Sequence, residues 1–271
     1  MTEINPRLKA LADRLKTDLP SENVPIIGAE KEETRVQPTT VNVRGNADAW
    51  SISGVEYRNG VYTVDLAKSL LDGRNSRRQD EWVDYSKEAI AKGEFYTPDY
   101  PLFYGTVRAL FKAKDEPAKL QEVEKAKKFL QDTSRANWLM TLTRIKYQPQ
   151  VNLLKRAIYG VEDIIVHNYG MSDSYEEKTN FIGADGLIKD VASPASCKAL
   201  LGTGDIKEIR DVFQWLNGAD TYLYRINSKP KKVFEAGAGF DAGSVWAILD
   251  CGRNPSDSVA SLGLRVAREK N

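Results

Sequence analysis

Chemistry, if this chain performs any, has few places to start: His167, the single histidine of 271 residues, and the two cysteines, Cys197 and Cys251. An imidazole titrates near neutrality, so it serves as a general base or a metal ligand. A zinc-type site needs several ligands, and no second histidine is there to join His167. Acyl transfer needs the imidazole beside a nucleophile held in a strained elbow, and the chain has no Gly-x-Ser-x-Gly segment. Asp163 and Asp173 lie near it in sequence but form no recognisable acid–base pair. His167 therefore reads as a structural, hydrogen-bonded residue at a strand end. The cysteines show neither metal-like spacing nor a disulfide framework and read as two small buried apolar residues. Gly202-Thr203-Gly204 lacks the Lys-Ser/Thr ending of a phosphate loop, and no strand–Gly-x-Gly-x-x-Gly–helix unit appears. The expectation is a protein with no catalytic residue, no metal and no cofactor.

Bulk properties narrow the partners. Thirty-nine basic residues face 38 acidic ones, so neither a phosphate backbone nor an anionic membrane is pulled in by net charge, and no nucleic acid is expected. No apolar run approaches the roughly 20 residues that span a bilayer. The amphipathic, charged N-terminus has no signal-peptide core, which predicts synthesis in the cytoplasm without export by the ordinary signal route.

Residues 1–40 read as an arm or linker, partly helical from its Leu8, Leu11 and Leu15 spacing, and a docking helix for a partner is the sharper alternative. One mixed α+β domain is expected over 41–271. Its opening runs, Val41–Val43, Trp50–Ile52 and Val61–Val64, alternate as strands do, with Arg58-Asn59-Gly60 as a turn. A helix capped by Asp65 is expected to end near Gly73, and another to cover Glu81–Lys92. The aromatic, proline-bearing stretch Phe95–Tyr104 reads as a loop that packs its rings on a core; a sugar-stacking surface is the alternative. Further helices are expected over Pro117–Gln131, briefly over Val151–Ile158, and after Asp205 to Asn217-Gly218. Strands are expected over Trp138–Ile145, Asp163–Tyr169 and Thr221–Ile226.

The C-terminal tail from Val233 to Arg268 is the most patterned stretch. From Val245 onward it splits into two interleaved sets at strand period. Val245, Ala247, Leu249 and Cys251 are uniformly apolar, as a packed side should be. Trp246, Ile248, Asp250 and Gly252 mix chemistries that no single core environment accommodates, which suits a face that contacts something else.

The glycine-rich entry, the Asn254-Pro255-Ser256 turn and the closing Leu262-Gly263-Leu264-Arg265-Val266-Ala267 resemble the variable region of the variable proteins of diversity-generating retroelements. Ala238-Gly239-Phe240 stands where Gly-Ser-Trp or Gly-Gly-Trp is commoner in that family, and Leu264 replaces its usual Phe. The resemblance implies a C-type-lectin-like fold of the formylglycine-generating-enzyme type: a small twisted antiparallel sheet, flanking helices and much ordered loop. It also implies a variable region at 237–265, rewritten at selected codons by an error-prone reverse transcriptase. The framework would be Gly237, Gly239, Gly243, Asn254, Pro255, Ser256, Gly263 and Arg265, with Ala247 and Leu249 beneath. The ligand-contacting positions would be Phe240, Asp241, Ala242, Trp246, Ile248, Asp250, Gly252, Asp257, Ser258, Val259 and Ala260. The implied function is binding of a macromolecular ligand, a cell-surface protein or glycan, by a protein displayed on a virion or cell surface and tethered through its N-terminal arm. Two alternatives accompany this reading: an oxidase of the formylglycine-generating type, which would need Cys197 folded against Cys251, and a structural virion or appendage subunit self-associating through the Trp246 face.

Overall fold

The computed structural model describes residues 41–149, 161–226, 230–243 and 245–267. The expected arm at 1–40 and the short helix at 151–158 lie outside the described residues. The strands are β1 (Asn42–Gly45), β2 (Ala49–Tyr57), β3 (Gly60–Leu70), β4 (Leu139–Tyr147), β5 (Asp163–His167) and β6 (Tyr175–Thr179). They continue as β7 (Gly186–Leu187), β8 (Thr221–Tyr224), β9 (Phe234–Ala242), β10 (Ala247–Arg253) and β11 (Leu262–Val266). The helices are α1 (Gln79–Lys92), α2 (Tyr100–Ala113), α3 (Leu120–Ala136), α4 (Ile188–Val191), α5 (Pro194–Leu201) and α6 (Ile206–Asn217).

This is a mixed α+β fold with two sheets. One has four strands in the order β1-β2-β3-β11; the other has seven, in the order β6-β5-β4-β9-β10-β8-β7. The expected single small antiparallel sheet is thus corrected on two counts: there is a second sheet, and β8 runs parallel to β10.

Two local expectations are also corrected. The helix expected from Asp65 to Gly73 is strand β3, which runs unbroken to Leu70. The cause is non-local: β2 takes one edge of β3, and β11 takes the other with Arg265 opposite Asp65. Two paired edges outweigh a cap. The expected loop at 95–104 ends early, because Asp99 accepts a hydrogen bond from the Leu102 amide (2.9 Å) and starts α2 there. Pro101 sits in that first turn, where its missing N–H is no loss. The rings of Tyr100, Phe103 and Tyr104 do pack on the core, as expected.

The main core cluster joins inward residues of both sheets, Ile52, Val64 and Leu249 among them, to α2, α3 and α6. Phe240 of β9 stands 5.2 Å from Phe103 of α2 and 5.3 Å from Phe213 of α6, all three buried. Helix α6 turns Ile209, Val212, Phe213 and Leu216 inward on one face, is capped by Asp205 and ends at left-handed Gly218. A second cluster joins Trp82 and Val83 of α1 to Met140, Leu142 and Val259. The strand β4 shifts register against β9 between Met140 and Arg144. There the Gln79 side chain donates to the carbonyls of Thr141 (2.9 Å) and Thr143 (2.8 Å), so the irregularity leaves neither buried acceptor unpaired.

Candidate recognition face

β10 lies between β9 and β8, so its outward side chains are flanked on both sides. Ile248 is opposite Tyr222 of β8 and Asp241 of β9; Asp250 is opposite Tyr224 and Gly239. The intervening residues, Ala247, Leu249 and Cys251, are wholly buried. The period-two split of the tail is therefore real from Ala247 onward. Val245 departs from it: β10 begins only at Ala247, and Val245 is 58% exposed instead of inward.

Outside β10 is a hollow of about 490 Å³ whose apolar wall is Trp138, Tyr222, Tyr224, Trp246 and Ile248. Asp250, Gly252, Arg253, Asn254 and Asp257 complete it. The rings of Tyr222 and Trp246 are 5.9 Å apart and tilted by 36°. Trp138, Tyr224 and Trp246 all remain exposed, although large aromatic side chains usually bury their surface. The ring of Tyr224 sits where a side chain on Gly252 would stand: a Cβ there would come within 3.0 Å of it.

Arg253 forms the polar floor. Its guanidinium lies over the Trp138 ring at 4.5 Å, 3.6 Å from Asp250 Oδ2 and 3.9 Å from Asp257 Oδ2. Its Nε is buried without a hydrogen-bond partner among the described residues. Asp250 is itself buried, accepts a hydrogen bond from the Gly252 amide (3.0 Å), and has its pKa raised by that burial. Burial also raises Asp241, which is half-buried.

The structure brings together six of the eleven expected contact positions: Trp246, Ile248, Asp250, Gly252 and Asp257 line the hollow, and Asp241 borders it beside Ile248. Ser258 is exposed in the loop that follows. The other four are corrected, because each is buried. Phe240 is in the aromatic core, and Ala242 sits one β-period further along the same inner side of β9. Val259 packs in the Trp82 cluster while its carbonyl accepts the Trp82 indole N–H (2.9 Å), and the Ala260 carbonyl accepts the Met140 amide (2.9 Å). The loop's return is thus pinned to α1 and β4 and is not displayed.

The expected framework positions sit at close contacts, with one exception. A Cβ on Gly239 would meet the Leu139 carbonyl oxygen at 2.8 Å, and one on Gly263 would meet Leu71 at 2.7 Å. Gly237 is tighter than usual against Gln79 (3.3 Å), while Gly243 has only ordinary contacts. Asn254 Oδ1 accepts the Ser256 amide (3.1 Å), and the Pro255 carbonyl accepts the Gln79 amide (3.1 Å), which anchors the turn to α1. Arg265 donates to Asp65 (2.8 Å) and lies over the Phe95 ring at 4.6 Å.

Trp138, Tyr222, Tyr224 and Arg253 belong to the hollow but were not among the expected positions. Tyr222 and Tyr224 alternate along β8 as Ile248 and Asp250 do along β10, a signal present in the sequence. What it lacked was the pairing of these two strands.

The residues that suggested chemistry are held in the interior. His167 is buried, with Nδ1 3.0 Å from Thr143 Oγ1 and Nε2 2.8 Å from the Ala199 carbonyl, and burial lowers its pKa to about 4. Both cysteines are free and buried. Burial pushes the Cys197 thiol up to about 11 and Cys251 well above its ordinary value, opposite to what a reactive thiolate needs. A second, more polar hollow of about 430 Å³ lies beside Arg58, Arg108 and Tyr175, with the buried His167 also in its lining. Behind it, Tyr57 donates to the buried Asp99 carboxylate (2.9 Å), which burial raises to about 6. Comparison of the chain with family models, with curated proteins and with solved structures returned no match.

Proposed function

We propose that the chain is a ligand-binding display protein, not an enzyme, and that the outward side of β8 and β10 is its recognition surface. The observation that carries this reading is the exposed aromatic hollow, where Trp138, Tyr222, Tyr224 and Trp246 surround Ile248 above a fully packed inner row. Rigid aromatic side chains offer large contact area at low entropy cost, which suits recognition of a macromolecule. On the resemblance of the tail, the finer proposal is a C-type-lectin-like fold and a surface diversified by a retroelement. The ligand is then a protein or glycan on a cell surface. The packed row of Ala247, Leu249 and Cys251 supports that reading, since side chains on the other side of β10 are free to change while this row keeps the strand in place.

The test is a double substitution, Trp246→Ala with Ile248→Ala, scored for binding to a panel of intact cells and for melting temperature. Loss of binding with a melting temperature near wild type is the expected result. A large fall in melting temperature, or cell binding that survives the change, contradicts the proposal.

A further inference from the structure

We infer that the hollow receives a cationic side chain, lysine or arginine, from a protein partner; this rests on the reading of the face as a recognition surface. Its lining carries two carboxylates, Asp250 and Asp257, against one guanidinium, Arg253, and a third carboxylate, Asp241, stands beside Ile248. The aromatic rings supply negative faces, which attract cations within about 6 Å. Arg253 shows the mode in miniature, stacked on Trp138 between two aspartates. Among the described residues no cation lies over the rings of Trp246 and Tyr224, and both are exposed. Arg135, which lines an adjoining hollow with Trp138, directs its guanidinium to the Asn217 carbonyl (3.4 Å).

The same chemistry disfavours a sugar. Hydroxyl recognition needs planar polar groups with free donors and acceptors. Here Asp250 is buried against the Gly252 amide and Arg253, and Asn254 Oδ1 is taken by the Ser256 amide. Burial raises Asp241 and Asp250 even with Arg253 nearby, and an incoming cation favours the charged form of both.

Calorimetric titration of the full chain with hexalysine, hexaglutamate and maltohexaose decides it. Hexalysine should bind, and hexaglutamate and maltohexaose should not. Asp257→Asn, at an exposed position, should weaken hexalysine about tenfold, the effect of losing one charge-assisted contact of about 1.4 kcal/mol. Asp132→Asn, on the exposed side of α3, should change nothing. Absence of hexalysine binding, equal weakening by Asp132→Asn, or tight maltohexaose binding overturns the inference. The outcomes separate from those of the parent reading: cell binding lost in the Trp246→Ala, Ile248→Ala protein without any hexalysine binding leaves the recognition face standing and removes only its cationic ligand.

Discussion

Tyr222 and Trp246 hold their rings 5.9 Å apart on the outer side of the large sheet, where β8 and β10 are parallel neighbours although β9 lies between them in sequence. A parallel pair cannot be closed by a tight turn, so this aromatic contact exists only once the sheet is assembled. The surface depends on the framework more than on local propensity.

If the two sides of β10 have separate duties, truncations on them should differ sharply. Leu249→Ala opens a cavity in the core and should cost about 2–5 kcal/mol, and Phe240→Ala about 3–5 kcal/mol. Trp246→Ala, at a position 37% exposed, should cost less than about 1 kcal/mol. Urea denaturation of the three variants checks this; comparable losses at Trp246 and Leu249 would place Trp246 in the core.

The framework glycines should not be equivalent. Gly239→Ala forces a methyl against the Leu139 carbonyl in the middle of the sheet, an overpacking that should cost about 1–3 kcal/mol. Gly243→Ala meets only ordinary contacts at 3.7 Å or more and should be close to neutral. Paired melting curves are sufficient, and equal effects would contradict the packing described.

Thiol chemistry offers a direct check on the oxidase alternative. With Cys197 and Cys251 buried and both thiols raised, an aromatic disulfide reagent near pH 8 should titrate no thiol in the folded protein and two after unfolding. Rapid reaction of either cysteine in the folded chain would revive that alternative.

Two buried groups should pull stability in opposite directions with pH. Asp99, raised to about 6, keeps its proton where the unfolded chain has lost it; its contribution is complete below about pH 4 and is lost as pH rises through about 6. His167, lowered to about 4, stays neutral where the unfolded chain is protonated. Its contribution is complete above about pH 6.5 and is lost as pH falls through about 4. The stability difference between wild type and His167→Gln should thus grow, by up to about 3 kcal/mol, as pH rises from about 4 to 6.5. The difference between wild type and Asp99→Asn should shrink between about 4 and 6. Denaturation curves across that range test both signs, and parallel wild-type and variant curves would refute the burial of either group.

Several elements that owe their form to their own residues are legible in the sequence, although α2 and α5, which begin on the local signals Asp99 with Pro101 and Ser193 with Pro194, are not among the expected helices. Asp205 with the apolar spacing of α6, the Gly93 stop of α1 and the alternation in β10 are of the legible kind. Other departures from expectation fall where a distant partner decides. Val61–Val64 reads as strand, but from Asp65 the sequence predicts a helix where β3 continues, because its edges are filled by β2 and β11, the latter some two hundred residues away. The glycine-rich segment was read as an entry to a strand, yet it is β9, paired on both edges, and Phe240 and Ala242 turn inward with it. Val259 and Ala260 were assigned to the surface because nothing in their neighbourhood announces Trp82 or Met140. The strand register sorts the inward from the outward residues of this tail.

The most direct measurement is made on the gene's surroundings: sequencing several kilobases downstream for a near-copy of the segment encoding Gly237 to Arg265, beside a reverse-transcriptase gene. The account predicts such a copy, with mismatches confined to its adenines. They should fall at codons for outward residues such as Trp246, Ile248 and Asp257, sparing the buried Phe240, Ala242, Val259 and Ala260. A downstream region with no copy and no reverse transcriptase, or mismatches concentrated on the buried codons, would contradict the claim that this face is a diversified recognition surface.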